Sequence, residues 1–299
     1  MPHVTRSVAV PSLALSALLV CAAAAAQPAA PDYSKVQIKT TPISGNFYTL
    51  EGSGGVIGVL AGPDGVFMVD SQFGPLTEKI VAAVKSISPS PIRYLVNTHV
   101  HGDHTGGNEN FGKLGVAILA REQLRARLAG GARPAPAAAL PTLTYDAPVT
   151  INMNGEAVRL IPVPAAHTDG DTMVYFPTAD VIMTGDFFRS VGYPFPDPNN
   201  GGTFQGLIDG LNQIVALAKP TTKIVPGHGP IVDKNAVAAH RDMAIAVRDR
   251  VAGLIKEGKT VEQVLAAKPT ADFDGKVDPG GNSSERFLRA LYANLKSAQ

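Results

Sequence analysis

Apolar residues in the first third of the chain fall in short runs, Val36–Lys39, Asn46–Glu51, Val56–Leu60 and Val66–Asp70, with turn formers such as Gly62-Pro63-Asp64-Gly65 between them. Short apolar runs broken by Gly and Pro predict strands. Leu76, Ile80, Val84 and Ile87 then recur at helical spacing, and Ser88-Pro89 ends that helix. Ile92–Val96 is a compact apolar strand. The second half repeats the scheme. Ala157–Val163, Met173–Phe176, Val181–Thr184 and Lys223–Val225 predict strands. Helices carry Leu207, Leu211, Ile214, Val215 and Ala218, and then Val237, Ala244, Val247, Val251 and Leu254. Strand runs followed by helices, twice over, predict two packed sheets with helices outside: an α/β sandwich rather than a string of modules. The Ala/Pro-rich piece Gly130–Pro141 reads as an exposed connection.

The ends divide the chain further. Residues 1–26 carry one Arg (Arg6), an apolar run Val8–Val20 and an Ala-x-Ala site before Gln27, the pattern of a secretory signal peptide. Cleavage there predicts export to the periplasm or medium. Residues 27–35 read as a flexible leader, 36–256 as the catalytic domain, and 257–299 as a helical C-terminal extension that packs through Phe287, Leu288, Leu291 and Leu295.

Composition narrows the function. Lys plus Arg number 26 against 25 Asp plus Glu, so no cationic field points to nucleic acid or an anionic membrane. With no Trp, an aromatic stacking platform is not expected either. No stretch is long enough for a membrane anchor, and a small-molecule partner is the expectation. Cutting at Gln27 removes Cys21 and His3, leaving a Cys-free chain with six His, so its core must stand without disulfides.

Three of those six His fall in Thr98-His99-Val100-His101-Gly102-Asp103-His104, directly after the strand Ile92–Val96. Alternation puts His99 and His101 on one side of an extended segment, and Gly102 permits a turn from which Asp103 and His104 open a helix. Such a segment can face two metals at once. Three further groups follow strands: His167 in Pro164-Ala165-Ala166-His167, Asp186 in Thr184-Gly185-Asp186, and His228 in Pro226-Gly227-His228-Gly229. Loops at strand ends are where α/β folds build sites. His240 lies on a helix and reads as structural. Imidazole and carboxylate donors without thiolate suit Zn²⁺, with Mn or Fe as alternatives, and ions so held bring the pKa of water to near 7. No Ser sits in a G-x-S-x-G context, and Gly52-Ser53-Gly54-Gly55 lacks the spacing of a dinucleotide loop.

These motifs resemble the metallo-β-lactamase superfamily, whose H-x-H-x-D-H signature stands here as His99, His101, Asp103 and His104. The resemblance spans roughly residues 36–250. It implies an αββα sandwich with a dinuclear site at one edge. By the same resemblance His99, His101 and His167 are the ligands of a first metal, Asp103, His104 and His228 those of a second, and Asp186 the carboxylate bridging both. Asp70 matches an upstream residue that hydrogen-bonds a ligand. Asp103 doubles as the group that orients the attacking water and takes its proton.

The resemblance leaves the substrate open. An Asp at position 186 resembles hydroxyacylglutathione hydrolases, lactonases and related esterases, whereas export favours β-lactams. The sequence reading puts β-lactam hydrolysis first, with lactone, thioester or other ester hydrolysis as the alternative. A di-iron redox protein would need a flavodoxin-like domain, and a non-catalytic metal-binding module is a further rival. Arg189 and Tyr193, just beyond Asp186, are expected to meet substrate, Arg189 at a carboxylate and Tyr193 at a developing oxyanion.

Overall fold

Turn-broken apolar runs become two sheets in the computed structural model, which describes residues 1–3, 31–131, 133–281 and 283–297. Apart from residues 1–3, the expected signal peptide lies outside the described residues. The elements all belong to the unit Tyr33–Gln299. Strands β1 (Lys39–Ser44), β2 (Phe47–Glu51), β3 (Ile57–Leu60), β4 (Val66–Val69), β5 (Ile92–Val96), β6 (Ala117–Arg121) and β7 (Leu143–Tyr145) lie side by side in chain order. This sheet is antiparallel from β1 to β4 and parallel from β4 to β7. The second sheet holds β8 (Val149–Met153), β9 (Glu156–Pro162), β10 (Thr172–Phe176), β11 (Val181–Met183) and β12 (Lys223–Val225), with β12 parallel to β11 and the rest antiparallel.

The helices are α1 (Thr77–Ile87), α2 (Gly102–Thr105), α3 (Asn108–Lys113), α4 (Glu122–Ala129), α5 (Phe204–Leu217), α6 (Lys234–Lys256), α7 (Val261–Ala266), α8 (Ala271–Val277) and α9 (Ser284–Ser297). Among the described residues no helix is long and apolar enough to cross a membrane.

Side-chain alternation builds the layers. In β4, Phe67 and Val69 point between the sheets, while Val66 and Met68 join Leu76, Ile80 and Val84 beneath α1. In β10, Val174 and Phe176 face inward, while Met173 and Tyr175 pack against α5, α6 and α9 through Leu207, Leu211, Val247 and Leu291. Strands covered on both faces read as unbroken apolar runs, which is why β3, β4 and β10 stood out in the sequence. Phe47 and Phe67 both meet Phe176 across the inner layer, at centroid distances of 4.6 and 6.2 Å. Truncating such a ring to Ala costs about 3–5 kcal/mol. The result is the αββα sandwich, two mixed sheets inside and helices outside.

One boundary moves by several residues. The first strand is Lys39–Ser44 and not Val36–Lys39, because Thr40, Thr41 and Pro42 form the sheet's edge, where Pro costs no ladder bond.

Candidate metal centre

The loops after β5, β9, β11 and β12 converge at one edge of the sandwich. After β5 the chain stays extended through His101, then turns at Gly102 into the single turn α2, whose His104 N–H and Thr105 N–H both donate to the His101 carbonyl at 3.0 Å. Asp103 and His104 thereby group with His228, while His101 groups with His99 and His167. The loop holding His167 is tied by Asp171, whose buried carboxylate accepts from the His167 and Thr168 N–H groups at 2.6–3.1 Å and from Thr168 Oγ1 at 2.6 Å. Burial, with the nearby Asp186 charge, raises this carboxyl to about 7 even though its hydrogen bonds to Thr168 and His167 work against the rise. Thr172 N–H donates to the Thr98 carbonyl at 2.8 Å and so joins the two halves beside the site.

All seven residues singled out for metal come together. His99, His101 and His167 present one donor atom each within 4.8 Å of one another, as do Asp103, His104 and His228. Asp186 shares a third such group with His99 and His104. Its carboxylate faces both sets: Oδ1 is 3.3 Å from His104 Nε2, and Oδ2 is 3.4 Å from His228 Nε2 and 3.9 Å from His167 Nε2.

The donor set fits metal on two further grounds. His99 Nε2, His104 Nε2 and Asp186 Oδ1 are buried without a hydrogen-bond partner, a costly state for polar atoms that a cation removes. The protonation balance agrees. Burial, helped by the neighbouring His104 and His167, holds His99 well below its usual value, and burial with His101 and His104 brings His167 down to about 4, so both offer lone pairs. Burial works against Asp103 and Asp186, but hydrogen bonds and charge from the surrounding imidazoles hold both carboxyls below the usual range. Hydrogen bonds that His228 donates to Asp103 and Asp186 raise it to about 9, and Asp70 and Asp186 overcome burial to raise His104. Carboxylates that draw protons onto two imidazoles are a cluster short of positive charge.

Beyond the donors, the other nitrogen of His104, His167 and His101 is held. Asp70 Oδ2 is 2.7 Å from His104 Nδ1 and accepts from Thr98 Oγ1 at 2.8 Å, while Oδ1 accepts from Thr98 N–H at 2.7 Å. Asp70 adopts φ 65°, a left-handed conformation that its short side chain tolerates and that aims the carboxylate inward. His167 Nδ1 donates to the Phe195 carbonyl at 2.6 Å. His101 Nε2 donates to Asp197 Oδ2 at 2.8 Å, leaving Nδ1 toward His167 Nε2 at 2.9 Å.

Sequence reasoning missed two features. Nothing in the sequence signals that Asp197 holds His101, 96 positions earlier. The Gly54-Gly55 turn, dismissed as a nucleotide loop, is part of this floor. Gly55 N–H donates to the Asp103 carbonyl at 3.1 Å, and a Cβ at Gly55 would collide with the His104 ring. Gly227 likewise leaves no room for a Cβ against Asp186 Oδ1. In sequence the Gly54-Gly55 turn lies more than 40 positions before His99, so only folding brings the two together.

Tyr193 is not at the centre, which corrects the expectation of an oxyanion donor. It is buried, stacked on Phe287 with ring centroids 5.0 Å apart, and its hydroxyl donates to Asp274 Oδ1 at 2.8 Å, with the Thr270 carbonyl at 3.2 Å. Its partners are thus C-terminal elements.

Comparison with known proteins agrees with this architecture. A sequence model described as the metallo-beta-lactamase superfamily matches residues 50–228, and the chain belongs to that superfamily. It is 32% identical over 167 residues to the 2,4-dinitroanisole O-demethylase subunit alpha of a Nocardioides species, a match covering 51% of this chain and 48% of that protein. Over 206 residues it is 32% identical to a hydroxyacylglutathione hydrolase of Acidiphilium cryptum, covering 63% of this chain and 76% of the relative. The chain spans about half the length of several other curated relatives it matches. Among solved structures, a metallo-beta-lactamase from Pontibacter korlensis superposes with a TM-score of 0.59 at 19% identity, covering 70% of this chain and 99% of that one, a likeness of fold.

Proposed function

We propose that this protein is a metal-dependent hydrolase that cleaves an acyl bond, a thioester or ester ahead of a β-lactam, at a dinuclear centre. His99, His101 and His167 would hold one ion and Asp103, His104 and His228 the other. The observation that carries this reading is Asp186, whose two oxygens face imidazoles of both sets from one buried position. Zinc suits the donor set best, and when bound such ions polarise a carbonyl and bring the pKa of water to near 7.

The chain's own groups do the rest. Asp103 is partly exposed, with His228 Nε2 at 3.0 Å from Oδ2, and is kept ionised at the mouth, where it can accept a hydrogen bond from the attacking water and then its proton. Asp70 and Asp197 hold the His104 and His101 rings in one orientation. The order of substrates reverses the one read from sequence. The Acidiphilium relative, matched over 76% of its length, is named for hydrolysis of a glutathione thioester. We further propose that residues 1–26 direct export; the mature protein should then begin near Gln27, and finding Met1 on protein isolated from the host cytosol would refute it.

The test is one panel: zinc-supplemented protein against an S-acyl thioester, an aryl acyl ester, an acyl-homoserine lactone and a penicillin, each with a chelator control. Chelator-sensitive turnover, with thioester or ester at least about tenfold ahead in kcat/KM, is expected. Turnover of none of them by fully loaded protein would remove the hydrolase reading, and a penicillin in first place would remove the substrate order.

A further inference from the structure

Asp169, on the loop of His167, is gripped by two arginines. Arg127, in the last turn of α4, meets its carboxylate as a fork: Nε donates to Oδ1 at 2.7 Å and Nη2 to Oδ2 at 2.6 Å. Arg121 Nη1, at the end of β6, donates to the Asp169 carbonyl at 3.0 Å and to the Val163 carbonyl at 2.8 Å. The remaining Arg127 nitrogen, Nη1, donates to the Asn199 carbonyl at 3.1 Å, with Asn200 Oδ1 at 3.4 Å. Asp169 N–H closes the ring by donating to the Asn200 carbonyl at 2.9 Å. One guanidinium thus ties the loop after β9 to the turn that carries Asp197.

From that turn the bonds run to the centre. Asp197 N–H donates to the His167 carbonyl at 2.8 Å, and Asp197 Oδ2 accepts from Asn200 Nδ2 at 2.7 Å and from His101 Nε2 at 2.8 Å. The path from Arg127 ends on His101 and His167. Among the described residues none of these bonds reaches Asp103, His104 or His228. His101 follows β5 of the seven-stranded sheet and His167 follows β9 of the five-stranded one, yet their Nδ1 and Nε2 atoms are 2.9 Å apart. Donors carried by separate sheets keep their spacing only as well as the sheets are linked beside them. Arg127 supplies such a link, because α4 follows β6 of the first sheet. Packing around it is tight: a Cβ on Gly201, at φ 73°, would stand 2.7 Å from Asp169 Oδ2 and 2.9 Å from Arg127 Nη2. The pair also differs from the surface pairs. Arg127 and Asp169 are 28% and 30% exposed and bidentate, against 42% and 69% for Arg289 and Glu262, and exposed pairs contribute little.

We propose that Arg127 is a positioning residue for one of the two donor sets: gripping Asp169 and the Asn199–Asn200 turn from α4, it holds His101 and His167 at the spacing that a single ion needs. The set of Asp103, His104 and His228 does not depend on it. A planar fork suits this task, since one guanidinium can engage a carboxylate along one edge and a carbonyl with its remaining nitrogen, which a Lys ammonium on its flexible stem cannot do with fixed geometry. The inference rests on the dinuclear reading above and deepens it, by giving the first set a support of its own.

The experiment measures zinc affinity, by competition with a chromophoric chelator, in two backgrounds. His228→Ala leaves the first donor set whole, and His99→Ala leaves the second. Adding Arg127→Gln should lower affinity about tenfold in the His228→Ala background and leave it within twofold in the His99→Ala background. A merely structural role would weaken both alike. Asp169→Asn should reproduce the selective loss, and combining it with Arg127→Gln should add nothing, because both remove the same fork. Arg127→Lys keeps the charge and loses the fork, so it should recover only part of the affinity in a chain that still folds. Arg289→Gln, at an exposed pair, should change neither background. Equal losses in the two backgrounds, no loss in the first, or additive losses for Arg127→Gln and Asp169→Asn would each overturn the proposal. Wild type that takes up no zinc would remove the dinuclear reading and this proposal with it, whereas wild type with two ions and an Arg127→Gln variant of unchanged affinity would remove this proposal alone.

Discussion

Asp197 and His101, 96 positions apart in sequence, meet at 2.8 Å through Oδ2 and Nε2. The contact settles which nitrogen of His101 points inward, because Nε2–H donates to the carboxylate and Nδ1 is left toward His167. Asn200 Nδ2 at 2.7 Å and Asn199 N–H at 3.0 Å hold Asp197 in turn. Asp197→Ala frees the ring without removing a donor atom. Loss of such an orienting group typically weakens metal binding about 10–100-fold. Competition for zinc against a chromophoric chelator should show that drop; affinity within twofold of wild type would mean the contact orients nothing.

Asp186 sets the number of ions. Three donors on either side and one carboxylate facing both predict two zinc ions per chain at saturation, read by elemental analysis. Asp186→Asn replaces a charged carboxylate by a neutral amide, a poorer bridge, and should lower the saturating content toward one. A wild-type plateau at one ion, or a variant that retains two ions with full turnover, would refute the bridging role.

The centre was legible in the sequence because its donors are local: four lie from His99 to His104, and His167, Asp186 and His228 each fall within five residues of a strand end. Asp197 was not legible, since only folding brings it to His101. Strands buried on both faces announced themselves as apolar runs. Helix α4 did not, because Leu124 is its sole buried residue, nor did β8, where Met153 alone is fully buried. Tyr193 misled for a related reason. Proximity to Asp186 in sequence suggested the site, but Phe287 and Asp274, some 80 or more positions away, claimed its ring and hydroxyl.

That correction has its own test. Tyr193→Phe keeps the ring on Phe287 and removes one hydrogen bond to Asp274. Unfolding stability should fall by about 1 kcal/mol while kcat/KM stays within twofold. A hundredfold loss of turnover at unchanged stability would return Tyr193 to the chemistry.

His240 predicts a pH dependence apart from the metal. On α6 its ring stands edge-on to Phe188, centroids 5.4 Å apart, and Nε2 is buried without a partner. Burial lowers it from 6.5 to about 4. A folded value below the unfolded one means that the unfolded chain binds the proton more readily. The stabilising contribution is whole above pH 6.5, declines as pH falls through the window to 4, and is gone below it. The loss reaches at most about 3 kcal/mol. Urea unfolding of wild type and His240→Met at pH 7, 5.5 and 4.5 should show a shallower decline in the variant. Parallel curves would show that His240 does not contribute to it.

Asp103 carries the sharpest prediction about chemistry. It is both a donor facing His104 and His228 and the partly exposed carboxylate at the mouth. Asp103→Ala removes the group that receives the water's proton, a loss typically worth about 10²–10⁴-fold in rate, and weakens one metal set as well. Asp103→Asn separates the two effects, because the amide keeps an oxygen donor but cannot take up the proton. With zinc held saturating, the Asn variant should remain at least a hundredfold slow. Ser190 is the control. Its hydroxyl donates to the Pro230 carbonyl at 2.7 Å, so it serves the loop beside His228. Ser190→Ala should keep kcat/KM within a few-fold, and mass spectrometry of quenched reactions should find no acyl group on the protein. Full turnover by zinc-saturated Asp103→Asn would remove Asp103 as the proton acceptor while leaving its place in the metal set, and an acyl adduct on Ser190 would replace this mechanism with a covalent one.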